Sequence, residues 1–133
     1  MVKLSHIALA VPAEEYEEVK RNLRAILNVS PQEKELPHAK LKVALFKLAN
    51  ATVELLAPTG EGSDIDKFLE KRGKGIHHIA LQVDSIADEV ERLEREGFVF
   101  SVKDYEGAKG GKVAFLHPKS TGGFLFELVE EEY

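Results

Sequence analysis

The spacing of apolar residues in the first half of the chain changes along its length and predicts different elements in turn. Residues 4–11 form a β-type run that ends at Pro12, whereas residues 14–27 repeat apolar side chains at the spacing of one helix face. Residues 40–48 alternate apolar and other side chains, and residues 52–57 follow a tight turn as the returning strand of a hairpin. This half is therefore expected to contain a strand, a helix and a β-hairpin.

The second half shows the same succession of patterns. Residues 77–83 predict a strand, and Ser85 is a typical N-cap for a helix that runs through Glu96 and stops at Gly97. A Gly-rich linker with a short helix at 64–71 separates the halves. Three further strands are expected at 98–103, 111–117 and 123–129, around Gly-rich loops at 107–111 and 121–123.

Short motifs recur between the two halves in the same order. HIALAV at 6–11 and HIALQV at 78–83 share five of six residues at an offset of 72 positions. The other recurring pairs are KVA at 42–44 and 112–114, and VEL at 53–55 with FEL at 126–128. Offsets that agree within three residues predict two copies of one unit, with small insertions or deletions in loops.

The repeat predicts an α+β fold of two paired βαβββ modules whose mixed sheets form a cleft. The modules are residues 1–58 and 74–133, and residues 59–73 link them. At 133 residues the chain is too short for two ordinary domains, so we expect a single domain over residues 1–133.

Composition narrows the classes of function. A net charge of −5 argues against a general nucleic-acid binder, which would carry a basic face. No apolar run approaches the roughly 20 residues of a membrane span, and the N-terminus lacks the apolar length of a signal peptide, so we expect a cytoplasmic protein without a membrane anchor. The absence of Cys excludes thiolate ligands. One Met among many Glu and Lys residues leans toward a thermophilic source.

Two His and two Glu residues occupy equivalent places in the repeat. His6 and His78 open the first strand of each module, and Glu54 and Glu127 interrupt the apolar last strands. Taken singly, a strand Glu is usually solvated and a strand His is usually a packing residue. Taken together, duplication brings two imidazoles and two carboxylates toward one centre, which is a good ligand set for a divalent metal. The sequence therefore predicts a metal-binding cleft.

Three other His residues have simpler expected roles. His77 points away from His78 because neighbouring strand residues face opposite sides, so we expect a packing or supporting role. His117 precedes Pro118 and is expected to shape the loop that follows. His38 lies in a loop before a strand and is placed to line the cleft.

Several longer stretches carry a resemblance to a known family. They are HIA at 6–8, VELLAP at 53–58, KFL at 67–69, GKGIHHIA at 73–80 and FLHPKSTGG at 115–123. Together with the paired βαβββ units, these stretches resemble the vicinal-oxygen-chelate (glyoxalase-like) superfamily and, within it, the methylmalonyl-CoA epimerase family. The resemblance covers nearly the whole chain, and the paired His with its preceding Gly-x-Gly and the HPKSTGG loop are its most specific parts.

The resemblance implies one divalent ion held by His6, Glu54, His78 and Glu127. Co²⁺ is the expected ion, with Mn²⁺, Mg²⁺, Ni²⁺ and Zn²⁺ as alternatives. Two positions depart from the family pattern. Glu54 stands where bacterial relatives often have Gln, and Val43 stands where some members carry a Glu proposed as a catalytic base. The usual account with two Glu bases therefore does not transfer unchanged.

The resemblance also implies an activity, namely interconversion of the (R) and (S) C2 epimers of methylmalonyl-CoA through proton abstraction and a metal-stabilised enolate. Glu127 is the expected base on one face of C2 and His38 is the candidate for the other, with a water or another carboxylate as alternatives. Lys119 is expected to bind the anionic CoA portion of the substrate. An exposed loop lysine without a role in binding is an equally good interpretation. The family setting implies a homodimer in propionate metabolism.

Two alternatives remain at this point. One is another metal enzyme of the same fold, such as a glyoxalase-like lyase or a ring-cleaving dioxygenase, although the latter normally uses a three-ligand set for iron. The other is a non-catalytic protein that binds a small molecule.

Overall fold

The computed structural model describes residues 1–104 and 112–130, so the loop expected at 107–111 lies outside them. The strands in the described ranges are β1 (Lys3–Ala10), β2 (Gln32–Leu36), β3 (Leu41–Lys47), β4 (Thr52–Pro58), β5 (Gly75–Gln82), β6 (Phe100–Asp104), β7 (Val113–Leu116) and β8 (Phe126–Val129). The helices there are α1 (Tyr16–Leu27), α2 (Asp64–Arg72), α3 (Ile86–Arg95) and α4 (Pro118–Thr121), with 3₁₀ turns at Ala13–Glu15 and Pro37–Ala39.

The chain divides into two compact units. The first unit is Ile7–His77, and the second unit is Met1–His6 together with His78–Tyr133. The order β-α-β-β-β occurs twice along the chain, as β1-α1-β2-β3-β4 and as β5-α3-β6-β7-β8, with α2 between them. The α+β class is confirmed, whereas the single domain and the module boundaries 1–58 and 74–133 stay predictions.

The first unit has the strand order β2-β3-β4-β1, and its strands β3 and β4 are buried on both faces. Strand alternation explains this, because successive side chains of β3 and β4 point to opposite faces. On one face α1 packs through Tyr16, Val19 and Leu23 on a buried cluster that includes Phe46 and Leu55. On the other face α2 packs on a second cluster; its buried members are Ala8, Ala10, Val43, Leu45, Leu56 and Ile65.

The second unit has the strand order β5-β8-β7-β6. β5 and β8 run parallel, whereas β7 is antiparallel to both of its neighbours, so the pairing is mixed as expected. Helix α3 begins as predicted, since the Ser85 hydroxyl accepts a hydrogen bond from the Asp88 backbone N–H at 3.2 Å. Gly97 follows the helix with a φ of 97°, a conformation that favours glycine. Ile86 and Val90 of α3 are buried against β7 and β8.

Two elements of the fold were not predicted. Strand β2, with the sequence QEKEL, is exposed at every position, so it carries no apolar alternation to detect. It pairs with β3 on one side only and stands at the end of the strand order, where charged residues discourage pairing with other chains. The single-turn helix α4 lies within a stretch that was expected to be a loop. None of the helices in the described ranges is long and apolar enough to cross a membrane.

A matched pair of Leu→Ala variants tests the packing of the first unit. Leu55 of β4 is fully buried in the cluster that packs against α1, whereas Leu36 is 43% exposed at the end of β2. Leu55→Ala is expected to lower the free energy of unfolding by about 2–5 kcal/mol, because it leaves a cavity in the core. Leu36→Ala is expected to change it by about 0.5 kcal/mol or less. Urea unfolding of both variants measures the difference, and equal effects would contradict the described core.

Candidate metal centre

His6, His78 and Glu127 converge in the second unit. The two imidazole Nε2 atoms are 3.1 Å apart. Oε1 of Glu127 lies 3.1 Å from Nε2 of His6 and 3.3 Å from Nε2 of His78. All three residues are buried, with exposures of 1% for His6, 9% for His78 and 4% for Glu127. Three polar atoms from three strands thus meet at one buried point.

Strand pairing places two of these side chains together. β5 and β8 are adjacent and parallel, with Ala80 opposite Glu127 in the register. His78 lies two residues before Ala80 and therefore points to the same face of β5. The apolar residues on either side of Glu127, Phe126 and Leu128, point to the opposite face and pack toward α3. The same alternation that buries the core therefore presents the carboxylate and the imidazole to each other.

The local charges keep Glu127 ionised. Burial raises the pKa of this carboxyl group, but hydrogen bonds and electrostatic interactions with His6 and His78 outweigh that effect and lower the pKa to about 2 overall. A buried carboxylate is stable only with such partners, because an unpaired charge out of water is costly. Glu127 is therefore an anion at neutral pH and is available as a ligand.

The three donors fit a divalent metal ion. In the described ranges they form a group able to hold an ion, with one ligand atom from each residue and all these atoms within 4.8 Å of one another. Ligand atoms bound at about 2.0–2.2 Å with angles of about 90–110° lie about 2.8–3.6 Å apart, and the observed separations fall in this range. Two imidazole nitrogens facing one carboxylate oxygen also need a proton or a cation between them.

Two neighbours of the cluster were not found from the sequence. The hydroxyl of Ser5 lies 3.1 Å from Nδ1 of His6, and the ring of Phe115 stands edge-on to the ring of His78 with centroids 6.0 Å apart. Ser5 was missed because neighbouring strand residues normally face opposite sides. Phe115 was missed because it reads as one more apolar residue of β7. Neither position carries a motif that would have identified it.

Glu54, the fourth expected ligand, belongs to the first unit. It is 7% exposed in β4 and stands opposite Leu45 of β3 in the register. An acidic residue that interrupts an apolar strand is the feature that singled it out in the sequence, and the structure shows that this residue is buried. Its place in a four-ligand set stays a prediction.

The two residues expected to transfer a proton and to bind the substrate, His38 and Lys119, are both exposed. His38 is exposed in the 3₁₀ turn Pro37–Ala39 of the first unit. Lys119 is exposed in α4 of the second unit. Val43, at the position where some family members have Glu, is 6% exposed in an apolar cluster and cannot transfer a proton. The catalytic role of His38 and the substrate-binding role of Lys119 stay predictions.

The remaining His residues have structural contacts. His77 stands edge-on to Phe68 with ring centroids 4.9 Å apart, in keeping with the packing role expected for it. His117 shapes its loop as expected, because its Nδ1 accepts a hydrogen bond from the Lys119 backbone N–H at 3.1 Å and so caps α4.

An apolar cavity of about 300 Å³ lies in the second unit, lined in part by Leu81, Phe126 and Leu128. Because these residues alternate with His78 and Glu127 along β5 and β8, the cavity lies on the other face of the strands. Its lining belongs largely to the core under α3. The polar cluster, not this cavity, is therefore the candidate for chemistry.

Known proteins resemble this chain over nearly its full length. Residues 5–115 match the model of the glyoxalase/bleomycin resistance protein/dioxygenase superfamily. An ethylmalonyl-CoA/methylmalonyl-CoA epimerase of Cereibacter sphaeroides is 40% identical over 130 residues, which are 95% of this chain and 96% of that protein. The mitochondrial methylmalonyl-CoA epimerase of Mus musculus is 38% identical over 130 residues, covering 95% of this chain and 71% of that protein. The crystal structure of methylmalonyl-CoA epimerase from Mycobacterium tuberculosis is 30% identical, with a TM-score of 0.82, and covers 98% of this chain and 89% of that one.

Single His variants test the metal centre directly. The metal-free protein is expected to bind one divalent ion, and an ion at 100 times its Kd would stabilise the fold by about 2.7 kcal/mol. His6→Ala and His78→Ala should each lose most of this stabilisation, because each removes one nitrogen ligand. His77→Ala is the matched control and should keep it. Thermal unfolding with and without Co²⁺ measures the effect, and equal stabilisation of all four proteins would place the ion elsewhere.

Proposed function

Because the chain belongs to the glyoxalase/bleomycin resistance protein/dioxygenase superfamily, we propose that it is a methylmalonyl-CoA epimerase. Such an isomerase interconverts the (R) and (S) epimers at C2 of methylmalonyl-CoA. The observation that carries the proposal is the buried cluster of His6, His78 and Glu127, in a chain that is 38% and 40% identical to two named epimerases over 95% of its length. The cluster supplies the chemistry, and the relatives point to the substrate.

The reaction requires loss and return of one proton at a carbon atom. The C2 proton lies between a thioester and a carboxylate, and its removal places negative charge on the thioester oxygen. His6, Glu54, His78 and Glu127 would hold the divalent ion, for which we propose Co²⁺ with Mn²⁺, Mg²⁺, Ni²⁺ and Zn²⁺ as alternatives. When bound, the ion would supply Lewis-acid stabilisation of that negative charge.

Glu127 is the residue we assign to proton transfer on one face of C2. Its Oε1 lies against the two imidazoles, so Oε2 is the oxygen assigned to take the proton. The pKa of about 2 makes this carboxylate a weak base in the cluster as it stands. Much of the driving force for proton removal would therefore come from stabilisation of the negative charge on the thioester oxygen. Burial of the side chain also keeps bulk water from competing for the proton.

Return of the proton on the other face requires a second group. Val43 cannot serve, because it is an aliphatic residue packed in the core of the first unit. We propose His38, which is exposed in the turn before β3 and whose imidazole can donate or accept a proton. A water molecule or another carboxylate is the alternative.

Lys119 is the residue we assign to the anionic part of the substrate. It is exposed on α4, and α4 is held to the neighbouring chain by side-chain hydrogen bonds, including those of Ser120 to the carbonyl oxygens of His117 and Val99. A well-anchored turn fixes the backbone from which the ammonium group reaches the substrate. The CoA phosphates or the free carboxylate would be its partner.

The family setting completes the proposal. We propose that the chain acts as a cytoplasmic homodimer in propionate metabolism, and that its source is thermophilic. The composition, with one Met, no Cys and many Glu and Lys residues, supports the thermophilic source, and the family resemblance is the basis for the rest of this setting.

A second substrate and a second reaction deserve direct tests. The name of the Cereibacter sphaeroides relative includes ethylmalonyl-CoA, so we include this longer malonyl thioester as a substrate. A glyoxalase-like lyase on the same fold is the alternative enzyme, and a glutathione adduct is its diagnostic substrate. A non-catalytic binder is disfavoured, because simple sequestration has no need for the buried ligand cluster.

Solvent exchange at C2 tests the epimerase. In heavy water with metal present, the protein should introduce deuterium at C2 of methylmalonyl-CoA, and a chelator should stop the exchange. Glu127→Gln should slow exchange by about 100-fold or more, because Gln can still donate an oxygen to a metal but cannot accept a proton. Nuclear magnetic resonance of the substrate measures the rate.

The control for that variant is Glu91→Gln on the exposed side of α3, which should exchange at the normal rate. If Glu127→Gln keeps both the metal and near-normal exchange, Glu127 is a ligand only, and His38→Ala becomes the next variant. Absence of exchange by the metal-loaded protein, together with turnover of a glutathione adduct, would replace the epimerase with the glyoxalase-like alternative.

Lys119→Met tests the contact with the anionic substrate. The change removes one charge interaction, so KM for methylmalonyl-CoA should rise about tenfold while kcat stays near its normal value. Lys112→Met removes an exposed lysine of the same unit and serves as the control. Steady-state kinetics at two salt concentrations measures both, and an unchanged KM would return Lys119 to the role of an ordinary surface lysine.

A further inference from the structure

Ser5 is a buried polar residue beside the candidate metal centre. It is 6% exposed, and its Oγ lies 3.1 Å from Nδ1 of His6. The contact is on the far side of the imidazole ring from Nε2, the atom that faces His78 and Glu127. The hydrogen bond between Ser5 and Nδ1 therefore influences which ring nitrogen carries the proton, and so whether Nε2 is free to bind a metal.

The proton on the His6 ring can be at either nitrogen, and the two positions have opposite consequences. With the proton on Nε2, that N–H donates to Oε1 of Glu127, and Nδ1 accepts a hydrogen bond from the Ser5 hydroxyl. With the proton on Nδ1, that N–H donates to Oγ of Ser5, and Nε2 presents a lone pair to a cation. A bound cation therefore requires the second tautomer.

We propose that Ser5 is a positioning residue that holds the His6 ring and allows it to change tautomer when a divalent ion binds. The inference rests on the proposed metal site. A hydroxyl group suits this role because it both donates and accepts hydrogen bonds. In the absence of metal it donates to Nδ1, and with metal bound it accepts from Nδ1–H. The ring thus keeps a hydrogen bond on this side in both states.

The burial of Ser5 strengthens this argument. A nitrogen that loses its hydrogen-bond partner in a buried place carries a desolvation penalty that water cannot relieve. Without the hydroxyl, Nδ1 would lose its partner in both tautomers. The loss costs more when a cation is bound at Nε2, because the cation polarises Nδ1–H and makes it a stronger hydrogen-bond donor, so metal binding would be weakened. Groups that orient metal-binding imidazoles in this way commonly change metal affinity about 10- to 100-fold.

Three variants separate this role from general packing. Ser5→Ala removes the hydroxyl, Ser5→Thr keeps it on a residue suited to a strand, and Ser85→Ala removes a hydroxyl elsewhere in the second unit, at the start of α3. Ser5→Ala should bind Co²⁺ about 10- to 100-fold more weakly than the unaltered protein. Ser5→Thr should restore the affinity, and Ser85→Ala should leave it unchanged. Calorimetric titration with Co²⁺ measures all four proteins.

A spectroscopic readout requires no metal and no substrate. Nitrogen-15 resonances of the His6 ring in the metal-free protein report the tautomer, and they should change in Ser5→Ala but not in Ser85→Ala. Equal Co²⁺ affinity and unchanged His6 resonances in Ser5→Ala would overturn the role of Ser5 while leaving the metal site intact. If the unaltered protein does not bind Co²⁺ or any other divalent ion, the metal site and the role of Ser5 both fail.

Discussion

The close contact of three buried polar atoms is the constraint on which the structure of the second unit depends. Nε2 of His6, Nε2 of His78 and Oε1 of Glu127 lie within about one hydrogen-bond length of one another, and none of the three residues is more than 9% exposed. An isolated carboxylate in such a place would be costly, by several kcal/mol even after relaxation. The imidazoles offset part of that cost in the metal-free state, and a divalent cation would offset more. The unusual burial of charge is thus the feature that demands a functional explanation.

The strands allow this arrangement because alternate side chains of one strand face the polar cluster and the apolar core. On β8, Glu127 contributes to the polar cluster while Leu128 is buried with α3. A one-residue slip of β8 would exchange the two faces, placing a carboxylate in the core and a leucine at the cluster. Packing of α3 and chemistry at the cluster therefore select the same register. In this sense the apolar core is what fixes the position of the ligand atoms.

Much of the fold and three of the candidate ligands could be predicted from the sequence, because the duplicated unit leaves recurring motifs at a nearly constant offset. The recurring HIAL motif located both imidazoles, and an acidic residue within an apolar strand identified Glu127. Strand β2 could not be predicted, because an exposed charged edge strand lacks apolar alternation. Ser5 could not be predicted either, because its contact depends on the side-chain conformation of an adjacent residue. Periodicity reveals which residues share a face, whereas individual hydrogen bonds require coordinates.

The most direct test of this account is a crystal structure of the protein grown with Co²⁺, with anomalous scattering used to locate the ion. The account predicts one ion within about 2–2.5 Å of Nε2 of His6, Nε2 of His78 and a carboxylate oxygen of Glu127. The same map would show whether Glu54 supplies a fourth ligand. An ion bound elsewhere, with the three side chains still hydrogen-bonded to one another, would contradict the central claim.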